Sequence, residues 1–180
     1  MTFKHASPEG IYCLVFSPPE MISITGVAER RFQSWVQRNF VLQATRPGRG
    51  VAREYSLVDL LYLSYLRVLT EACVELEEAA SYACEIFPHE AFVPMSPNQK
   101  IAKIPDIIRA AAIGRPDLAP RRLAIINRQQ IIVAKSELED EDIVAPIPEG
   151  KLWAIVVDLS EVVIKTTIAA QEIIARRTVS

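Results

Sequence analysis

Cysteine is scarce, with Cys13, Cys73 and Cys84 the only three in 180 residues and no CxxC pair among them. An odd number without paired spacing fits a reducing compartment better than a disulfide scaffold. Histidine is scarcer still: His5 and His89 stand without ligand-spaced neighbours. No stretch approaches about 18 apolar residues free of charge, so no membrane-spanning segment is expected. The opening residues "MTFKHASPEGIYCLVFSPPE" lack a basic segment followed by an apolar core and a small-residue cleavage site. The expectation is a cytoplasmic protein, of a bacterium or a phage host.

Catalytic signatures are also missing. The six glycines make no phosphate-binding loop, there is no HExxH, and no serine stands in a plausible catalytic arrangement with a histidine and an acid, His5, Ser7 and Glu9 included. The run "ELEDED", residues 137 to 142, lacks the glycine and spacing of a calcium loop and reads as solvated. Cys73 and Cys84, eleven residues apart, would lie about 16 Å apart on one helix at about 1.5 Å per residue. They are read as buried, inert thiols rather than ligands of one metal. No catalytic residue, metal or cofactor is expected, and an enzyme is the least favoured class.

What is present is an uneven charge. The net charge is −2, yet Gly26 to Tyr55 holds six arginines (Arg30, Arg31, Arg38, Arg46, Arg49 and Arg53) against Glu29 and Glu54. That segment carries +4 and the remainder −6. Binding to phosphates follows local charge density, because each contact releases a condensed counterion. A basic patch on an acidic body therefore admits nucleic acid as a partner.

The segment around the patch is punctuated by helix signals. Ser17, a following proline and Glu20 make a capping box for a short helix over about 18–23, and Thr25–Gly26 break it. Val27, Phe32, Trp35, Val36 and Phe40 recur at helical spacing over about 28–39, which predicts a second helix with one buried face. The helical spacing assigns Phe32, Trp35 and Phe40 to the core rather than to base stacking. "QATRPGRGVAREY" has the proline and glycines of a hairpin loop, with Tyr55 bracing it. Ser56 and Asp59 cap a third helix, "LVDLLYLSYLRVL", and "EACVELEEAASYACEIF" reads as a fourth that stops at Pro88.

Helix, tight turn, helix, arginine-bearing hairpin, helix is the order of a winged helix-turn-helix. In "GVAERRFQSWVQRNFV", "GRGVAREYS" and "LVDLLYLSYLRVL" the sequence resembles the MerR family of bacterial transcription regulators, over roughly residues 16 to 86. It departs from that family where an arginine and two aromatics are usual and the chain reads Gln33, Ser34 and Trp35, keeping only the second aromatic. It departs again where Pro88, Pro94 and Pro97 interrupt what is commonly a long dimerising helix. The resemblance implies a recognition helix in the major groove of double-stranded DNA, with Arg30, Arg31, Gln33 and Ser34 toward bases or phosphates. It places Gln37 and Arg38 on the backbone, and Arg46, Arg49 and Arg53 on a wing over flanking phosphates or in the minor groove.

Residues 98–180 predict a small α+β domain beyond a proline-rich linker, 88–97. "IPDIIRAAAIG" is a helix, "RRLAIIN" and "QQIIVAKS" a hairpin, "KLWAIVV" a third strand, and "DLSEVVIKTTIAAQEIIARR" a C-terminal helix. The last helix is apolar over more than one face, which points to a partner, and a two-fold dimer suits a palindromic site. The predicted class is thus α+β. Residues 1–87 are expected to form the DNA-binding domain of a sequence-specific transcription regulator, and the second half to serve dimerisation, sensing or a protein partner. The alternatives are an antitoxin-type interaction module with a DNA-binding head, or a phage excisionase-like architectural protein.

Overall fold

The computed structural model describes residues 14–41, 53–87, 104–127, 130–135 and 155–177. The first half runs β1 (Val15–Phe16), α1 (Pro18–Thr25), α2 (Glu29–Gln37), β2 (Tyr55–Ser56), α3 (Leu57–Glu71) and α4 (Leu76–Ile86). The second runs α5 (Ile104–Ala112), a 3₁₀ turn (Pro116–Leu118), β3 (Arg122–Asn127), β4 (Gln130–Lys135), β5 (Ile155–Asp158) and α6 (Leu159–Arg177). The fold is α+β, with two small antiparallel sheets among the described residues, β1–β2 and β4–β3–β5. Among the described residues no helix is long and apolar enough to cross a membrane.

Local chemistry explains the helix starts. Glu20 accepts from both the Ser17 N–H and the Ser17 hydroxyl, each at 2.8 Å. Ser56 and Asp59 exchange bonds in the same way, Ser56 N–H donating at 2.7 Å and Asp59 N–H at 3.2 Å. Each pairing satisfies amides that the first turn leaves without a partner.

The helix ends follow one pattern, and one of them corrects the sequence reading. α2, α3 and α5 close on left-handed residues, Asn39 (φ 60°), Cys73 (φ 64°) and Gly114 (φ 72°). In each case that residue and the next donate backward: Phe40 to Trp35 O, Val74 to Leu69 O and Arg115 to Ala110 O. Bonds of this kind satisfy the last carbonyls of a helix. The expected fourth helix from Glu71 is therefore divided: α3 runs to Glu71, the chain reverses at Ala72–Cys73, and α4 begins at Leu76. Cys73 and Cys84 do not share a helix and both are exposed rather than buried, Cys73 as the turn residue itself and Cys84 on α4.

α3 is the axis of the core. Leu57, Leu60, Leu61, Leu63, Tyr65, Leu66 and Leu69 are all fully buried, so the helix is enclosed on nearly every side. A helix apolar all round needs neighbours all round. α1, α4 and α6 supply them, and one apolar cluster continues from Phe16 and Met21 through α3 and α5 to Val163 and Ala170.

α6 accounts for its broad apolar surface within this chain. Val163, Thr166, Thr167 and Ala170 are buried, Val162, Ile164 and Ile174 pack onto the core, and Ile168 is the large apolar side chain left exposed on the helix. Thr166 donates to Ser64 on α3 at 2.9 Å, and Gln171 donates to Ala112 O at the end of α5 at 2.8 Å. At its last turn Arg177 pairs with Glu20, donates to Val15 O at 3.0 Å and sits 5.8 Å from the Phe16 ring. The C-terminal helix thus ends on the cap of α1.

That ending makes a pH-dependent contribution. Hydrogen bonds from Arg177, opposed by burial and aided by Ser17, hold the Glu20 carboxyl down at about 2. A depressed carboxylate stabilises the fold above its unfolded value of about 4.3 and ceases to as pH falls toward the folded value. Because Arg177 is partly exposed, the pair is worth about 1 kcal/mol. Urea melts of Arg177→Met should show a deficit of that size at neutral pH, shrinking toward zero near pH 2. A deficit constant across that range would remove Glu20 from the explanation.

Candidate nucleic-acid interface

The position of α2 follows from the turn before it. Gly26 adopts φ 67°, its N–H donates to Ile22 O at 2.8 Å, and the Thr25 hydroxyl donates to Met21 O at 2.7 Å. Arg67 of α3 donates to the Thr25 carbonyl and pairs with Glu71, so the arginine head closes the turn from behind. A Cβ on Gly26 would stand 2.5 Å from Arg67 Nη1. The turn is compact because glycine leaves room for that guanidinium.

α2 then divides cleanly. Phe32, Trp35 and Val36 are buried, Phe32 meeting the Tyr55 ring edge-on at 5.8 Å, and Phe40 packs partly buried beyond the helix. The expectation that these aromatics and Tyr55 belong to the core holds. Arg30, Arg31, Gln33, Ser34, Gln37 and Arg38 are exposed on the other side. Arg31 lies 6.0 Å from the Trp35 ring, and Gln33 donates to Glu29 one turn back at 3.1 Å. Arg38 is engaged differently, its head paired with Glu77 of α4 and 4.9 Å from the Phe40 ring.

Beside α2 lies a hollow of about 460 Å³ edged by Gln33, Gln37, Asn39 and Arg53, with Phe32, Val36 and Tyr55 beneath. Among the described residues its rim has amides and one guanidinium but no carboxylate. Three residues singled out from sequence, Gln33, Gln37 and Arg53, meet here. Asn39 joins them without having been singled out; its signal was the left-handed position that asparagine tolerates at a helix end. Burial raises the Tyr55 hydroxyl pKa, with the nearby Arg53 opposing.

Arg46 and Arg49, with most of the hairpin expected for the wing, lie outside the described residues. Arg53, exposed, marks where the chain re-enters β2. β2 pairs antiparallel with β1, Val15 opposite Ser56 and Phe16 opposite Tyr55. Among the described residues, no group of three or more histidine, cysteine, aspartate or glutamate side chains is placed to hold a metal ion. No protein-family model matches the sequence, and no curated protein matches it.

Proposed function

We propose that the chain is a sequence-specific double-stranded DNA-binding regulator whose α2 enters the major groove. One observation carries the reading: the exposed side of α2 gathers two arginines and two glutamines behind a tight glycine turn, beside a hollow that holds Arg53 and, among the described residues, no carboxylate. Arginine and glutamine are the side chains that pair bidentately with guanine and adenine edges. Arg53 and the wing arginines Arg46 and Arg49 take phosphates and set register. A two-fold dimer is proposed from the symmetry of inverted half-sites alone, since α6 packs its apolar surface within the chain, and sedimentation at micromolar concentration tests it directly. A monomer at that concentration would leave only single half-sites to be read.

Duplex binding should weaken with salt, the slope of log K against log salt changing by about 0.9 for each phosphate contact removed. Neutralising Arg53 should flatten that slope by about one contact and weaken all duplexes alike. A salt-independent affinity would count against a phosphate-facing surface.

The Arg38–Glu77 pair gives a further test. Its partners are 51% and 63% exposed, so the bond adds little to stability. Glu77 instead holds Arg38 away from a phosphate and repels the duplex. Glu77→Ala should therefore raise affinity for all duplexes by about two- to fivefold at moderate salt, with an unchanged melting temperature. Weaker binding would mean that Glu77 orients Arg38 productively.

A further inference from the structure

A second cleft opens on the side of the molecule where α3, β5 and α6 meet. Its volume is about 580 Å³, within the range of small-molecule sites. Val68, Ile155, Val157, Val162 and Ala169 give it apolar walls. The charged side chains at its mouth are already matched: Arg67 with Glu71, Lys165 with Glu161, and Asp158 with Arg121. A ligand therefore meets little net charge, which disfavours a strongly ionic occupant.

Ser64 and Thr166 also line the cleft, and both are buried, at 8% and 5% exposure. Thr166 donates to Ser64 at 2.9 Å, which uses one of the two hydroxyl protons. The Ser64 proton has no acceptor among the described residues. A buried donor without an acceptor is costly, and a ligand oxygen supplying one is favoured accordingly.

We infer that this cleft is a binding site for an uncharged small molecule with an apolar body and one hydrogen-bond acceptor, such as a ketone, ester or lactone. The acceptor takes the free proton of the Ser64–Thr166 pair, and the apolar body lies along Val68, Val157 and Ala169. Arg67 lines the same cleft while bonding to the Thr25 carbonyl. Occupancy therefore bears on the turn that sets α2, whatever α2 binds.

The test uses the full chain and the probe 6-propionyl-2-dimethylaminonaphthalene, an uncharged naphthalene with one ketone and environment-sensitive emission. Saturable binding of one probe per chain with blue-shifted emission is expected. Ala169→Trp should weaken it at least tenfold, and Ser64→Ala about five- to tenfold, the worth of one hydrogen bond. The same ring without the ketone should bind about as weakly to wild type as the probe binds to Ser64→Ala. Exchange of the Gly26 amide should slow when the probe is bound. Circular-dichroism melts establish that each variant is folded; if Ser64→Ala is not, the ketone-free comparison reports the same interaction. Absent saturation, or binding indifferent to Ala169→Trp, overturns the site. Equal binding of both probes overturns the acceptor, and an unchanged Gly26 amide overturns the link to the turn.

Discussion

Gly26→Ala is expected to destabilise the protein by about 2 to 3 kcal/mol, whereas Gly114→Ala should cost only about 1. Both glycines hold a positive φ, 67° and 72°, so both substitutions carry the backbone penalty of a left-handed L-residue. They differ in what a methyl group would meet. At Gly114 no atom of the described residues lies within 4 Å, while at Gly26 Arg67 Nη1 stands at 2.5 Å. The guanidinium can swing aside, but it then gives up its bond to the Thr25 carbonyl, and a hydrogen bond from a charged donor is worth about 1.5 kcal/mol or more. In a chain of this size each kcal/mol lowers the melting temperature by roughly 2–4 °C. Thermal melts of the two variants side by side measure the difference, and Gly26→Ala combined with Arg67→Met should lose little beyond Gly26→Ala alone. Equal costs at Gly26 and Gly114 would show that Arg67 does not brace the turn.

Arg30→Ala combined with Arg31→Ala should lower affinity for the preferred duplex by about a hundredfold or more, since each bidentate base contact is worth about 1–3 kcal/mol. The fold should survive, because both side chains are exposed and surface substitutions of this kind fall within about 0.5 kcal/mol. The loss should be larger on the preferred site than on random duplex, which distinguishes base contacts from charge alone. Unchanged affinity from a folded double variant would mean that α2 is not the reading element.

The N-terminal helices were legible because their signals are local. Ser17 with Glu20, Gly26, and Ser56 with Asp59 lie within a few residues of the bonds they make, and the spacing of Phe32, Trp35 and Val36 is that of one helix face. The break before α4 was hidden because Cys73, not glycine, takes the left-handed position, and cysteine carries no such signal. The two-residue strand β1 was too short to show a period.

The destination of α6 was illegible for a different reason. Its apolar breadth was plain in the sequence, but the bonds that say where it packs join residues 102 and 157 positions apart, Thr166 to Ser64 and Arg177 to Glu20. Local periodicity has no access to such separations. The same holds for Arg38: its exposure on α2 followed from helical spacing, while its pairing with Glu77 depends on how α4 returns beside α2. The exposed face of α2 was thus readable residue by residue, and the electrostatic setting of that face was not.

The central claim, that the exposed side of α2 reads double-stranded DNA, is tested most directly by selecting the purified chain against a random duplex library at about 150 mM salt, where nonspecific phosphate binding is weakened. The expected result is enrichment of one sequence as inverted half-sites about one helical turn apart, lost in the Arg30→Ala, Arg31→Ala variant. A folded sample that enriches no sequence, or one whose enrichment survives that double substitution, would contradict it.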